Sequence, residues 1–304
     1  MAYKDAMTAL AVLAASPGLS SAAALLLGLA VGSFLNVVIY RLPIMLERQW
    51  REECAEFAGG GESPAPGETF NLMVPRSACP GCKAPITALQ NIPLLSWLLL
   101  RGRCARCGQR ISVRYPLVEM LTAILTAAVV WRFGLSWPAL AAVVLTWFLI
   151  ALTFIDIDHQ LLPDGLTLPL LWFGLLVSLS AAGRQGLGFP VDLRASVLGA
   201  VAGYASLWAV YHLFRLVFRK EGMGYGDFKL FAALGAWLGW KMLIPVILVA
   251  AVAGSVVGLV LLTVRGQSRN TPIPFGPFLA SAGWLVLMWG PGIVAAYLGW
   301  FTRP

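Results

Sequence analysis

The sequence predicts an all-α polytopic membrane protein of about eight transmembrane helices, with a small cytoplasmic four-cysteine zinc-binding loop domain between the first two. Three observations predict it. Hydrophobic residues make up 59% of the 304 and charged residues only 12%, about half the ~25% of a soluble domain. Apolar runs long enough to cross ~30 Å of hydrocarbon recur along the chain. The only large polar segment, 41–114, holds two Cys-x-x-Cys units.

The first element is an apolar run at 20–40. The weaker stretch before it, 7–15, is a poor signal peptide: Lys4 is balanced by Asp5, and the stronger run that follows has no cleavage-like end. Further runs lie near 115–131, 138–155, 165–182, 193–218, 242–264 and 276–300. An eighth, 228–240, barely crosses at thirteen residues. It reads as a short or re-entrant helix, which a membrane tolerates only where protein surrounds it.

The net charge of +8 suits topology better than nucleic acid, because no basic–aromatic interleaving of the single-strand-binding kind accompanies it. Ten of the 22 Lys and Arg lie in 41–114, four in 215–229, and Arg265 and Arg269 follow the seventh run. These sixteen share one side of an eight-span arrangement. The positive-inside rule places that side in the cytoplasm and both termini outside. The chain divides as 1–40, the N-terminal region and first helix; 41–114, the cytoplasmic zinc knuckle; and 115–304, the remaining membrane domain. Within 41–114, the charged stretch 47–56 reads as helical, and 59–67 as a Gly/Pro-rich linker. No internal repeat is evident.

Cys79-Pro-Gly-Cys82 and Cys104-Ala-Arg-Cys107 are separated by 21 residues, a strong signature of a tetrahedral zinc site. Gly81 and Gly108 are expected to supply tight-turn geometry. Lys83, Arg103, Arg106 and Arg110 favour thiolates. Two disulfides are the competing reading, disfavoured in a reducing cytoplasm. Four protein ligands leave no open position, so the metal is structural. Cys54 remains as an ordinary free thiol.

Carboxylates at membrane ends are costly and mark function. One run ends in Asp156-Ile-Asp158-His159, followed by Pro163-Asp164; another is followed by Gly222-Met-Gly224-Tyr-Gly226-Asp227-Phe-Lys229. Asp156 and Asp227 are 71 residues apart (227 − 156), yet fall at the same membrane face. Like charges about 3 Å apart cannot both ionise easily, so such a pair shares one proton. The ionised member takes a proton from water. The protonated member hydrogen-bonds the scissile carbonyl and later protonates the leaving amine. Asp156 and Asp158 sit about 200° apart on a helix, so only one can face a shared site. Asp156, nearer the apolar run, is favoured, with Asp158 as the alternative. Asp158, His159 and Asp164 also suit a solvated loop or a helix start, and Asp227 could be a counter-ion to Lys229. The glycines before Asp227 lack the preceding strand of a nucleotide loop. They read as a turn, or as space for a substrate backbone.

These residues resemble the bacterial type IV prepilin peptidases, also called prepilin leader peptidase/N-methyltransferases. The likeness runs over about 25–290. It rests on Gly32-Ser-Phe-Leu-Asn-Val-Val-Ile-Tyr-Arg-Leu-Pro43, both Cys-x-x-Cys units, Asn91-Ile-Pro-Leu-Leu-Ser-Trp97 and Arg114-Tyr-Pro-Leu-Val-Glu119. The 156–164 stretch and the Gly-x-Gly-Asp ending at Asp227 complete it. Leu89-Gln90 departs from the aromatic–acidic pair that many members carry there. The resemblance implies an intramembrane aspartyl protease of the bacterial inner membrane, with Asp156 and Asp227 catalytic and Cys79, Cys82, Cys104 and Cys107 holding the metal. It implies cleavage of the basic leader of type IV prepilins and pseudopilins after a glycine, at the cytoplasmic face. It also implies methylation of the new N-terminus by S-adenosylmethionine. No glycine fingerprint for a nucleoside cofactor is visible; Asn36, Arg41 and Glu119 are weak pocket candidates. A basic leader would dock beside Asp158, Asp164 and Glu221.

An ion-coupled transporter using membrane-end carboxylates is the rival reading. It is disfavoured because the carboxylates gather at one face rather than the midplane. A non-catalytic scaffold would leave the paired aspartates idle.

Overall fold

A computed structural model of the chain describes residues 16–58, 69–87, 89–181, 189–219, 223–265 and 273–301. The 7–15 stretch, the 59–67 linker and Glu221 lie outside the described residues. Nine α-helices and two short 3-10 turns (Leu89–Asn91 and Trp240–Met242) make up the regular structure of the described residues, with no strand among them. The helices are α1 Pro17–Phe57, α2 Leu95–Leu99, α3 Arg114–Phe133, α4 Trp137–His159, α5 Asp164–Leu179, α6 Leu193–Phe218, α7 Tyr225–Leu238, α8 Leu243–Arg265 and α9 Gly276–Phe301. Each of the eight apolar runs falls on one of them. Six are long and apolar enough to cross a membrane; α5, with 16 residues, and α7, with 14, are shorter. The chain is a multi-pass membrane protein.

Packing divides the chain into two compact units, Met1–Ala139 and Leu140–Pro304. In the first, α1 continues unbroken from the apolar run through the charged stretch. Its 41 residues span about 60 Å, twice the hydrocarbon thickness, so its charged half projects beyond the membrane. Pro43 lies inside it without ending it, because the following Met, Leu, Glu, Arg and Gln are strong helix formers. α1 packs against α3 through Gly28 and Gly32, one turn apart. A Cβ on either would sit within 2.7 Å of the α3 backbone at Ala123 or Glu119. Small residues at this spacing let membrane helices approach closely.

In the second unit α7 is the central element, packed against α5, α6, α8 and α9. All its residues except Tyr225, Gly226 and Lys229 are buried. Protein therefore surrounds it, the environment the sequence requires of so short an apolar helix. Its C-terminal half is fastened by Ser196 Oγ donating to the Ala236 carbonyl (2.6 Å) and Trp237 Nε1 donating to Leu170 O (2.8 Å). Such bonds contribute about 0.6–2 kcal/mol each within a bilayer. α8 presents Ile244, Val252, Val256 and Leu259 as exposed apolar side chains, a surface suited to lipid.

Candidate active site and metal site

Asp156 lies in the last turn of α4. It is 5% exposed, whereas Asp158 and His159 are exposed. The helix phase that separates positions 156 and 158 thus turns the first inward and the second outward. Past His159 the chain breaks at Gln160 (φ 51°), whose N–H donates back to the Asp156 carbonyl at 2.9 Å. The Asp156 carboxylate accepts a hydrogen bond from the Gly276 N–H, 3.0 Å to Oδ2. Gly276 opens α9 between Pro274-Phe275 and Pro277. A Cβ on Gly276 would fall 2.5 Å from Asp156 Oδ2, so only glycine admits this approach.

Asp227 stands in the first turn of α7, with Gly224 as N-cap, and is 7% exposed. Its N–H donates to Gly224 O at 3.2 Å. Tyr211, Tyr225 and Phe228 pack edge-on or tilted around the start of this helix. Asp156 and Asp227, distant in sequence, are close enough to feel one another's charge. Lys229 is not the counter-ion of Asp227: its ammonium pairs with Asp164, 2.6 and 2.8 Å to the two carboxylate oxygens. Asp164 opens α5, where a negative charge complements the helix dipole.

Sequence reading missed two residues of this site. Gly276 was legible only as the start of an apolar run, although a glycine between two prolines at a helix start is an available cue. Leu162, in the loop from α4 to α5, is 7% exposed and packs against both Gly226 and Gly276. Nothing in its neighbourhood of the sequence signals this.

The weak pocket candidates are engaged with backbone. Arg41, 7% exposed, donates to Asn71 O (2.9 Å) and Pro75 O (2.6 Å), tying the loop to α1. Glu119 Oε2 accepts from the Leu94 N–H at 2.8 Å. Asn36 Nδ2 donates to Tyr115 O at 3.1 Å.

The four cysteine sulfurs all lie within 4.8 Å of one another, and none is in a disulfide. Cys79 and Cys107 Sγ are 3.7 Å apart, Cys82 and Cys104 Sγ 4.0 Å. Four thiolates ~2.3 Å from one zinc lie about 3.8 Å apart at the corners of a tetrahedron, so the cluster fits that ion. The N–H groups of Cys107 and Arg106 hold the Cys104 thiol down at about 6. Those of Cys82 and Gly81 lower Cys79.

The two knuckles are built alike, 25 positions apart. Cys79 N–H donates to Ala84 O and Cys104 N–H to Gln109 O; Lys83 N–H donates to Cys79 O and Gly108 N–H to Cys104 O; Ile86 N–H donates to Ser77 O and Ile111 N–H to Gly102 O. This is a structural repeat that the sequence hides, since only the cysteines and the closing isoleucine coincide. The turn chemistry also differs from expectation. The left-handed residue follows the second cysteine in each knuckle, Lys83 (φ 56°) and Gly108 (φ 71°), and Gly81 is not left-handed. Gly81 instead makes room for the Gln109 side chain.

Residues 26–133 match the family model described as the bacterial peptidase A24 N-terminal domain, and 143–259 that of the type IV leader peptidase family. The chain is 56% identical over 273 residues to the prepilin leader peptidase/N-methyltransferase of Aeromonas hydrophila, covering 90% of this chain and 92% of that protein. It is 52% identical over 292 residues to the protein of that name from Stutzerimonas stutzeri (96% and 98%). To that of Pseudomonas aeruginosa it is 51% identical over 274 residues (90% and 92%). No solved structure matches.

Proposed function

The chain belongs to the type IV leader peptidase family, and from that premise we propose that it cleaves the basic leader from type IV prepilins and pseudopilins after a glycine. Cleavage takes place at the cytoplasmic face of the bacterial inner membrane, and the new N-terminus is then methylated from S-adenosylmethionine. The observation that carries the reading is the burial of Asp156 and Asp227 within reach of each other's charge, on two helices joined only by tertiary packing.

Asp156 and Asp227 act as the dyad. One draws a proton from the attacking water; the other donates a hydrogen bond to the scissile carbonyl and protonates the leaving amine. Gly276 fixes Asp156, and the Gly224 turn fixes Asp227 at the start of α7. The substrate's apolar helix enters laterally among the spans. Its basic leader docks toward acidic groups outside them, of which Asp158 is the exposed one nearest the dyad in sequence; Asp164 is partly neutralised by Lys229.

Residues 41–114 form the zinc-knuckle segment and 115–304 the peptidase segment. Cys79, Cys82, Cys104 and Cys107 would hold one zinc ion, whose chemistry there is structural because the four thiolates fill its coordination sphere. Asn36, Arg41 and Glu119 each bond backbone groups, and no step of the methyl transfer is assigned to them.

The test is cleavage of a prepilin peptide in detergent by the wild type and by Asp156→Asn, Asp227→Asn and Asp158→Asn. The reading requires near-total loss in the first two and turnover in the third. Loss in Asp158→Asn with turnover in Asp156→Asn would reassign the dyad. Cleavage without a methylated product when S-adenosylmethionine is supplied would sink the bifunctional part.

A further inference from the structure

Leu162 takes no part in the dyad chemistry, yet it occupies the space beside it. A Cβ added to Gly226 would sit 2.7 Å from Leu162 Cβ, and one added to Gly276 would sit 3.2 Å from Leu162 Cδ1. Gly226 directly precedes Asp227, and Gly276 holds Asp156 through its N–H. Leu162 therefore fills the seam between the two elements that present the carboxylates.

The loop carrying Leu162 is fastened on both sides. Gln160 N–H bonds the Asp156 carbonyl at 2.9 Å. The Pro163 carbonyl accepts the N–H groups of Leu166 and Thr167, both at 3.0 Å, and the Thr167 hydroxyl at 3.2 Å. Asp164 then pairs with Lys229 on α7, the helix that carries Asp227. Leu162 is a wall held at both ends.

A carbonyl attacked between two aspartates must come within about 2.6–3.2 Å of both. Any side chain on the residue that owns this carbonyl begins about 2.5 Å from the carbonyl carbon, beside the carboxylates, in the region Leu162 fills. Glycine has no such atom. We propose that Leu162 is a specificity-determining residue, the wall that restricts the position before the scissile bond to glycine. The inference rests on the peptidase reading above.

The test uses the full-length enzyme in detergent and two prepilin peptides that differ only in Gly or Ala before the scissile bond. A further pair carries Phe or Leu after it. The readout is the Ala-to-Gly ratio of kcat/KM within one preparation, which does not depend on the folded fraction. Leu162→Ala is expected to raise that ratio by about ten-fold or more, the scale of one methyl group in a packed pocket. Leu162→Val should fall in between, and the Phe-to-Leu ratio should stay unchanged. An unchanged Ala-to-Gly ratio in a variant that still cleaves the Gly peptide overturns the proposal. So does a change confined to the residue after the bond, or total loss of cleavage in both variants, which would make Leu162 structural. A wild type that cleaves neither peptide fails the peptidase reading instead.

Discussion

The Gly276 N–H donates to Asp156 Oδ2 at 3.0 Å, across 120 residues of sequence. One member of the proposed carboxylate dyad is thereby held by the first residue of α9. The contact depends on the missing Cβ, since a side chain at 276 would begin 2.5 Å from the carboxylate oxygen and push it away.

Gly276→Ala should therefore cut kcat for prepilin cleavage by about 10²-fold, the usual consequence of misplacing a catalytic group by an ångström. Zinc content and the yield of extracted protein should not change. Steady-state kinetics with a metal assay on the same sample check this, and near-wild-type turnover would show that Asp156 is positioned by other groups.

Asp158 faces outward at the end of α4. Asp158→Lys should raise KM for a substrate with a basic leader several-fold and leave kcat nearly intact, and the effect should shrink as salt is added. Equal KM values at low salt would remove Asp158 from leader docking.

The sulfur tetrahedron should hold about one zinc per chain, and Cys79→Ser or Cys104→Ser should lose it. Zinc binds thiolates, so protons compete with it and affinity falls as the pH is lowered. Cys104 is held down at about 6, so proton competition for its thiolate grows as the pH drops through that value and metal retention should fall with it. Elemental analysis after dialysis over a pH series reads this. A metal-free, disulfide-bonded protein would refute the site.

The left-handed residue of each knuckle gives a paired prediction. Gly108→Ala forces a Cβ into φ 71° and should weaken zinc retention, at a cost of about 1 kcal/mol. Lys83→Gly relieves the same strain in the other knuckle and should be neutral or stabilising. Chelator-competition midpoints distinguish them, and the opposite order would break the structural equivalence of the two turns.

Much of this was legible in the residues. Composition and apolar runs identified eight apolar helices, six of them long enough to cross a membrane, because every membrane-spanning segment must satisfy its backbone internally and present an apolar surface. Two Cys-x-x-Cys units announced a four-sulfur cluster, since a turn of that length converges two thiols. Helical phase allowed only one of Asp156 and Asp158 to face inward, and nearness to the apolar run favoured Asp156, which is the buried one. The partners were less legible. Lys229 was read beside Asp227, its neighbour in sequence, but it bonds Asp164 across two helices. Arg41 and Glu119 looked available to a ligand because the chain segments that engage them, 71–75 and Leu94, come from distant parts of the same loop.

The sequence by itself determined the solvent of this protein, its helices, its four-cysteine cluster and the two acids proposed to cut a peptide. These rest on hydrophobicity, short-range spacing and side-chain chemistry, which are written locally. The tertiary structure alone decided what surrounds those acids: α7 encased by its neighbours, the Gly276 N–H on Asp156, and Leu162 between two glycines. Each is a contact between segments whose separation in the chain carries no periodicity, so only the packing of the helices brings it into being.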